Sequence, residues 1–288
     1  MIEIDEPWRA AHPLPLPTGE VDKKSRGRVL VVGGSARAPG VVRLTAEAAL
    51  RAGAGRVRVA TLASAATLVG VLSPELGIVA LREADGEIAA DAAPLREQAA
   101  AHEAVVLGPG MGSEHVAAQL IEGLDAASAA QTSLLLDAAA ATCAREEGAA
   151  LRGWEGRLVL TPHQGEMARL LGRGIDDVRR DPGGAAGEAA ARYRGVIVLK
   201  GTDTIVADPD GTMLHLAGGG PGLATGGSGD VLSGVIAGLL ARGLAPRVAA
   251  GWGVWLHGQA GRALAATAAP IGWLARELLP EVSRALPR

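Results

Sequence analysis

The segment Gly218 to Gly234, GGGPGLATGGSGDVLSG, packs glycines ahead of an acid and an apolar helical pattern. Glycines in that number let a backbone turn sharply and come close to a ligand. The pattern that follows, Val231 to Leu240, reads as a helix. N–H groups at a helix start have no internal partner and carry the positive end of the helix dipole. Loop and helix start together would form an anion site, suited to a phosphate or to charge developing in phosphoryl transfer. Its donors would be the amides of Gly226, Gly227, Ser228 and Gly229. Asp230 stands at the helix start. Asp is a favoured N-terminal cap, and an acid beside an anion hole is equally a general base for a hydroxyl; position alone leaves both open. The chain has no GxxxxGK[ST] phosphate loop, and no GxGxxG follows its first apolar run. A nucleotide site here would be of neither type.

Other polar residues stand where apolar runs stop. Lys200 ends Val196 to Leu199; the chain has only three lysines, the others being Lys23 and Lys24, and uses Arg almost everywhere else. A Lys kept at a strand end can place positive charge near a phosphate, or it can be a solvated end. His163 follows Leu160-Thr161-Pro162 at another strand end. Asp137 ends Ser133 to Leu136 and reads either as an indirect magnesium ligand or as a cap of the next helix. Glu166 starts a helix and reads first as a cap, second as a holder of water around magnesium. His257, mid-helix among apolar residues, reads as a packed, hydrogen-bonded core histidine. Trp252 and Trp255 share a helix face, and core or subunit packing suits them better than a nucleobase platform.

The elements that would position these residues alternate. Arg28 to Val32, Arg56 to Thr61, Ala104 to Leu107, Ser133 to Leu136, Leu158 to Leu160 and Val196 to Leu199 are short apolar runs that read as strands. Val41 to Ala52 and Glu114 to Ala127 read as helices between them. Thr204 to Ala207 and Met213 to Leu216 flank the turn signal Pro209-Asp210-Gly211 and predict a hairpin. From Asp230 onward the chain reads as mostly helical. Such alternation predicts an α/β fold with a mainly parallel sheet, whose ligands bind beyond the carboxyl ends of the strands. Residues 1–27 read as an extended N-terminal arm ending in a charged turn, ahead of a single domain, 28–288.

With 48% apolar residues, 288 residues can bury a sizeable core; aromatics are 2% and Phe is absent, so that core must be Ala, Val, Leu and Ile. A net charge of -3 argues against a general nucleic-acid or anionic-membrane binder and for small-molecule partners. No apolar stretch of membrane-spanning length and no signal-peptide pattern appear. The single Cys143 fits a reducing compartment, so a cytoplasmic location is expected.

The run Gly220 to Asp230 (GPGLATGGSGD) resembles the signature of the NAD(P)H-hydrate dehydratases, a branch of the ribokinase-like superfamily. Further matches fall in the family's order: RVLVVGGS from Arg28, GVVRLTAEAALRAGAG from Gly40, LGPGMG from Leu107, LTPHQGE from Leu160, LKGTDT from Leu199, and His257-Gly258 with Ala260-Gly261. The likeness runs over residues 20–280. It implies a three-layer α/β/α sandwich. It implies an enzyme that dehydrates the S epimer of hydrated NADH or NADPH at the expense of ADP or ATP, with ADP favoured. Asp230 and Gly229 would be base and anion hole. Val41, Gly110, Gly112, His163 and Asp230 would line the hydrated dinucleotide. Lys200, Gly201, Thr202, Asp203, Thr204 and Gly229 would line the adenine nucleotide, with Mg2+ accompanying it. The resemblance further implies a homotetramer and a separate epimerase as metabolic companion, because only residues 1–27 precede the first strand where a fused epimerase domain would stand.

The chain departs from the family pattern at four positions. Gly220 stands for a usual Asn, removing a side-chain amide from the loop. Ala139 stands for an acid, removing any metal or nucleotide role there. Val41 stands for Ala, narrowing the dinucleotide site, and Ser228 for Met. Asp230, Lys200 and His163 are untouched, which points to an active enzyme. Two rival readings are a ribokinase-like kinase for a vitamin-precursor alcohol and a catalytically silent nucleotide-binding module.

Overall fold

The computed structural model describes residues 1–15, 26–145 and 148–287. Among the described residues there are twelve strands: β1 (Ile2–Glu3), β2 (Arg28–Val32), β3 (Arg56–Leu62), β4 (Gly77–Leu81), β5 (Glu83–Ala84), β6 (Glu87–Ile88), β7 (Ala104–Leu107), β8 (Ser133–Leu136), β9 (Leu158–Leu160), β10 (Val196–Leu199), β11 (Thr204–Ala207) and β12 (Met213–Leu216). Ten of them form one sheet in the order β1-β12-β11-β10-β9-β8-β7-β2-β3-β4, and β5 and β6 make a separate two-stranded ribbon. From β10 through β9, β8, β7, β2 and β3 to β4 every pairing is parallel. The strand cores carry Val, Leu and Ile on both faces because helices cover both. One apolar cluster unites Val29, Val31 and Val106 with the helices Val41–Arg51, Ser228–Ala241 and Pro246–Thr267. The other unites Leu30, Val32 and Leu107 with the helices Glu114–Gly123 and Gln164–Leu171. This is the expected three-layer α/β/α sandwich.

Parallel direction has one decisive consequence. The chain segments that follow β2, β7, β8, β9 and β10 all emerge at the same edge of the sheet. Gly33-Gly34-Ser35, Gly108 to Gly112, Asp137, Thr161-Pro162-His163 and Lys200-Gly201 are therefore neighbours, as the strand-end reading requires. The Ser228–Ala241 helix, buried along Val231–Ala241, brings the glycine loop to that edge. It lies close on the Val41–Arg51 helix because residue 234 has no side chain: a Cβ at Gly234 would stand 2.1 Å from the Thr45 carbonyl oxygen.

The reading of residues 1–27 as an extended arm is corrected in its described part. β1 joins the sheet alongside β12, and Glu6–Ala11 is a helix. Asp5 caps that helix by accepting from the Trp8 N–H at 2.9 Å, and Pro7 occupies its first turn. Ile4, Trp8 and Leu14 are buried, and Trp8 packs on Trp252, whose Nε1 donates to the His12 carbonyl at 2.6 Å. Burial of these three apolar side chains outweighs the ordering entropy of a Pro-rich segment. The predicted charged turn, with Lys23 and Lys24, lies outside the described residues. The hairpin at Pro209-Asp210-Gly211 is present as β11 and β12. The β4 edge strand and the β5–β6 ribbon have no counterpart in the sequence reading.

Candidate active site

The glycine loop turns into its helix through backbone that only glycine adopts freely. Gly220 has φ +94° and ψ 162°, a region essentially reserved to glycine. An Asn would be strained there, so glycine at 220 suits this loop's conformation. Gly227, at φ +92°, is the residue before the first helical turn, and no side chain caps the helix. Asp230 is the third helical residue. Asp230 is therefore not the residue that caps the helix from outside; its carboxylate accepts only from its own N–H within the first turn. Ser228 N–H is turned onto the Thr225 carbonyl at 3.2 Å. The N–H groups of Gly226, Gly227 and Gly229 have no backbone acceptor among the described residues. Three amides without a backbone acceptor and the positive end of the helix dipole thus lie together beside one acid.

Beneath them lies a cluster of charges. Lys200 Nζ stands 2.9 Å from Asp137 Oδ1 and 3.9 Å from Glu166 Oε2. It also lies against Gly229, where a Cβ would meet Nζ at 3.3 Å. Asp137 is 2% exposed. It accepts from Thr161 Oγ1 at 2.9 Å and from Ser233 Oγ at 2.8 Å. The cap reading of Asp137 fails too, since its carboxylate makes no cap bond and is spent on Lys200, Thr161 and Ser233. Burial pushes Asp137 up, but the Lys200 charge and the three hydrogen bonds more than reverse it, so it stays below the ordinary carboxylate range. Burial likewise pulls Lys200 down, and the charges of Asp137 and Glu166 carry it above the ordinary amine value. Both stay ionised at neutral pH. Asp230 differs: burial first, and next the Asp137 charge, push it up to about 7, with Lys200 opposing. One of three neighbouring acids is thereby tuned to neutrality, where a base is half ionised and still basic enough to take a proton.

His163 caps the Gln164–Leu171 helix: its Nδ1 accepts from Glu166 N–H at 3.1 Å, and Glu166 Oε2 accepts from His163 N–H at 2.8 Å. Glu166 is thus the cap partner it was first read to be, while its carboxylate still faces Lys200. The His163 ring is exposed at the strand edge, with His163 and Lys200 adjacent on neighbouring strand ends. His257 is the packed core histidine expected: Nε2 is 3.0 Å from the Ser228 carbonyl oxygen and 3.1 Å from Ser228 Oγ. A carbonyl only accepts, so Nε2 carries the proton. Burial pulls His257 down to about 4, so it is neutral and pins the entry of the glycine-loop helix.

On the other flank, the loops after β2 and β7 interlock. Gly34 N–H donates to the Pro109 carbonyl at 2.7 Å, and Gly110 lies against Val41, where a Cβ would meet that of Val41 at 3.2 Å. Gly112 N–H donates to Glu87 Oε1 of the β5–β6 ribbon at 3.0 Å. Val41, Gly110 and Gly112 are thus together on one side of Asp230's helix, and Lys200 and His163 together on the other strands of the same edge. Asp203 Oδ1 accepts from Gly218 N–H at 3.3 Å, joining the Lys200 to Thr204 turn to the start of the glycine loop.

Sequence reasoning missed Thr161, Ser233 and Glu87. Ser233, three residues after Asp230, shares its helix face and was detectable by that spacing. Nothing local signals Glu87. Among the described residues no three His, Cys, Asp or Glu side chains could together hold a metal. Asp137 is spent on Lys200, Thr161 and Ser233, and Glu166 on the His163 cap, so a metal ion here would be reached from them only through water.

A model of the NAD(P)H-hydrate dehydratase family matches residues 29–284. The ADP-dependent (S)-NAD(P)H-hydrate dehydratase of Xanthomonas campestris is 46% identical over 280 residues, 96% of this chain and 93% of that protein. The bifunctional NAD(P)H-hydrate repair enzyme Nnr of Moorella thermoacetica is 40% identical over 237 residues, and the match spans 82% of this chain and 44% of the relative. In fold, the chain is similar to the crystal structure of the ADP/ATP-dependent NAD(P)H-hydrate dehydratase of Bacillus subtilis co-crystallized with ATP/Mg2+, with a TM-score of 0.77 and 28% identity over 94% of this chain and 92% of that one. The glycine loop, the tuned acid and the interlocked loops stand on a ribokinase-like fold, and the chain belongs to the NAD(P)H-hydrate dehydratase family.

Proposed function

We propose that the chain dehydrates the S epimer of hydrated NADH or NADPH with ADP as phosphoryl donor, restoring the reduced dinucleotide. The observation that carries this reading is the Asp230 carboxyl, held near neutrality beside the bare amides of Gly226, Gly227 and Gly229 and within the field of Lys200. The hydrated ring, lying over Val41, Gly110, Gly112 and His163, presents its hydroxyl to Asp230. Asp230 takes the hydroxyl proton as the oxygen bonds to the terminal phosphorus of ADP; the bond to the leaving nucleotide breaks, and AMP departs. A proton from the neighbouring ring carbon and the new phosphate are then lost together, and the ring double bond re-forms. Phosphate leaves more readily than hydroxide, which is why a nucleotide is consumed.

The residues divide the work. Asp230 as base contributes about 10²–10⁴-fold. Each bare amide aimed at the transferring group contributes about 10²–10³-fold. Lys200, fixed by Asp137, offers its remaining donors to phosphate, and the turn Gly201, Thr202, Asp203 and Thr204 lines the nucleotide. Asp137 and Glu166 are the residues that would hold, through water, a Mg2+ ion brought by the nucleotide, and the ion would neutralise phosphate charge there. We further assign residues 28–288 to one catalytic domain, a tetrameric assembly, a cytoplasmic setting and a separate epimerase as metabolic companion. None of the described helices is long and apolar enough to cross a membrane.

The test is incubation with hydrated NADPH and ADP, following the return of reduced-nicotinamide absorbance together with phosphate release. Equal amounts of both support the dehydratase. A stable phosphorylated product without absorbance recovery identifies the vitamin-precursor kinase type of chemistry instead, and nucleotide binding with neither product identifies a silent module.

A further inference from the structure

Arg262 lies on the Pro246–Thr267 helix, five residues beyond His257. Its Nη1 donates to the carbonyl oxygens of Gly218 at 2.8 Å and Ala217 at 3.4 Å, and its Nε approaches Gln259 Oε1 at 3.5 Å. All three acceptors are neutral. Among the described residues no carboxylate pairs with this guanidinium, and Nη2 has no acceptor. Asp203, the acid of the same pair of loops, gives one oxygen to Gly218 N–H and points the other toward His215 at 3.8 Å. The Arg262 side chain is half-buried, and burial lowers its pKa from the ordinary value without bringing it near neutrality. Nη2 is open to solvent and the guanidinium has only neutral partners, so this edge of the cation can receive an anion.

Its position says which anion. The carbonyls it holds belong to the start of the glycine loop, which Asp203 joins to the Lys200 to Thr204 turn. Along the same helix, His257 touches Ser228 at the start of the Ser228–Ala241 helix, and Arg262 stands about 7.5 Å further along the helix axis at 1.5 Å per residue. Arg262 thus stands over the start of the glycine loop, next to the Lys200 to Thr204 turn assigned to the nucleotide.

We propose that Arg262 is a nucleotide-binding residue whose free Nη2 donors hold the non-transferred phosphate of the adenine nucleotide. The proposal rests on the dehydratase reading, which supplies the nucleotide. In ADP that phosphate is the one AMP keeps, so Arg262 grips substrate and nucleotide product alike and leaves the reacting phosphorus to Lys200 and the amides.

Calorimetric titration of the wild type, Arg262→Gln and Arg262→Lys with ADP, AMP and adenosine tests it without turnover. Loss of a charge-assisted hydrogen bond predicts that Arg262→Gln weakens ADP and AMP alike by about 10- to 100-fold while adenosine binds as before. Arg262→Lys, a point charge without the guanidinium fork, recovers part of the loss. In steady state the KM for ADP rises by the same factor with kcat held. Unchanged ADP affinity in a folded Arg262→Gln protein overturns the proposal, as does an equal loss for adenosine, which would place Arg262 on the base. If Arg262→Gln does not fold, full ADP affinity in Arg262→Lys likewise overturns the phosphate fork. Wild-type ADP binding without dehydration sinks the dehydratase reading and leaves the Arg262 contact standing; normal dehydration with unchanged affinity in the variant does the reverse.

Discussion

The two ends of the sheet hold similar residue types under opposite conditions. At the amino edge, a cavity of about 600 Å³ opens beside Leu158, Val196 and Pro246, rimmed by Arg194 and Arg247. Its charges are matched at the surface: Arg194 pairs with Glu155 at 2.8 Å, both well exposed, and Arg247 with Asp210 at 2.6 Å. The Thr212 N–H and side chain, with Arg247, hold Asp210 down to about 2, so it is ionised at neutral pH. At the carboxyl edge, one amine meets three acids in partly desolvated surroundings, and the last acid is left near 7. Concavity alone marks the wrong end. What distinguishes the reactive end is an imbalance of charge that burial prevents water from screening.

The sharpest way to break this comparison is to remove the surplus acid. Asp230→Asn is expected to lower kcat by about 10²–10⁴-fold while leaving the fold intact. The sign for stability is favourable: the Asp230 pKa is raised on folding, so its ionised form destabilises the native state as pH rises through about 7. The amide removes that burden, so its Tm at pH 8 should equal or exceed that of the wild type in a thermal melt. A fall in Tm would mean that Asp230 is structural.

Removing the amine is predicted to be both catalytic and structural. Lys200→Met leaves Asp137 buried with only Thr161 and Ser233, which should cost roughly 3–5 kcal/mol in urea unfolding. Because Lys200 holds the Asp230 pKa down, whatever activity remains should shift its rising limb to higher pH. A loss below about 1 kcal/mol would place the pair in solvent. The smallest effect belongs to the other end. Glu155→Gln breaks the exposed pair with Arg194 and should change stability by about 0–1 kcal/mol and leave kcat/KM for ADP and hydrated NADPH alone. A large kinetic effect there would reverse the contrast between the edges.

Much of the carboxyl edge was legible because parallel strands buried on both faces leave continuous apolar runs, and whatever polar residue ends such a run lies at the ligand-binding edge. Lys200, His163 and Asp137 were found that way. The choice between cap and base for Asp230 was not legible, since it depends on where the helix begins, and after Gly227 at φ +92° it begins at Ser228, two residues before Asp230. Nor was the commitment of Asp137, whose partner is 63 residues distant in the chain. The N-terminal helix is signalled by Asp5 with Pro7, but Pro13, Pro15 and Pro17 just after it favour extended chain. The short β5–β6 ribbon has two residues a side, too few for any alternation to show.

The most direct measurement is the pH dependence of kcat/KM for hydrated NADPH with saturating ADP, from pH 5 to 9, for the wild type and Asp230→Asn. The wild type should rise through a single ionisation near 7 and level off above it. In the variant that ionisation should vanish at a rate lower by about 10²–10⁴-fold. An unchanged limb near 7 in the variant would assign the proton transfer to another group and contradict the role of Asp230.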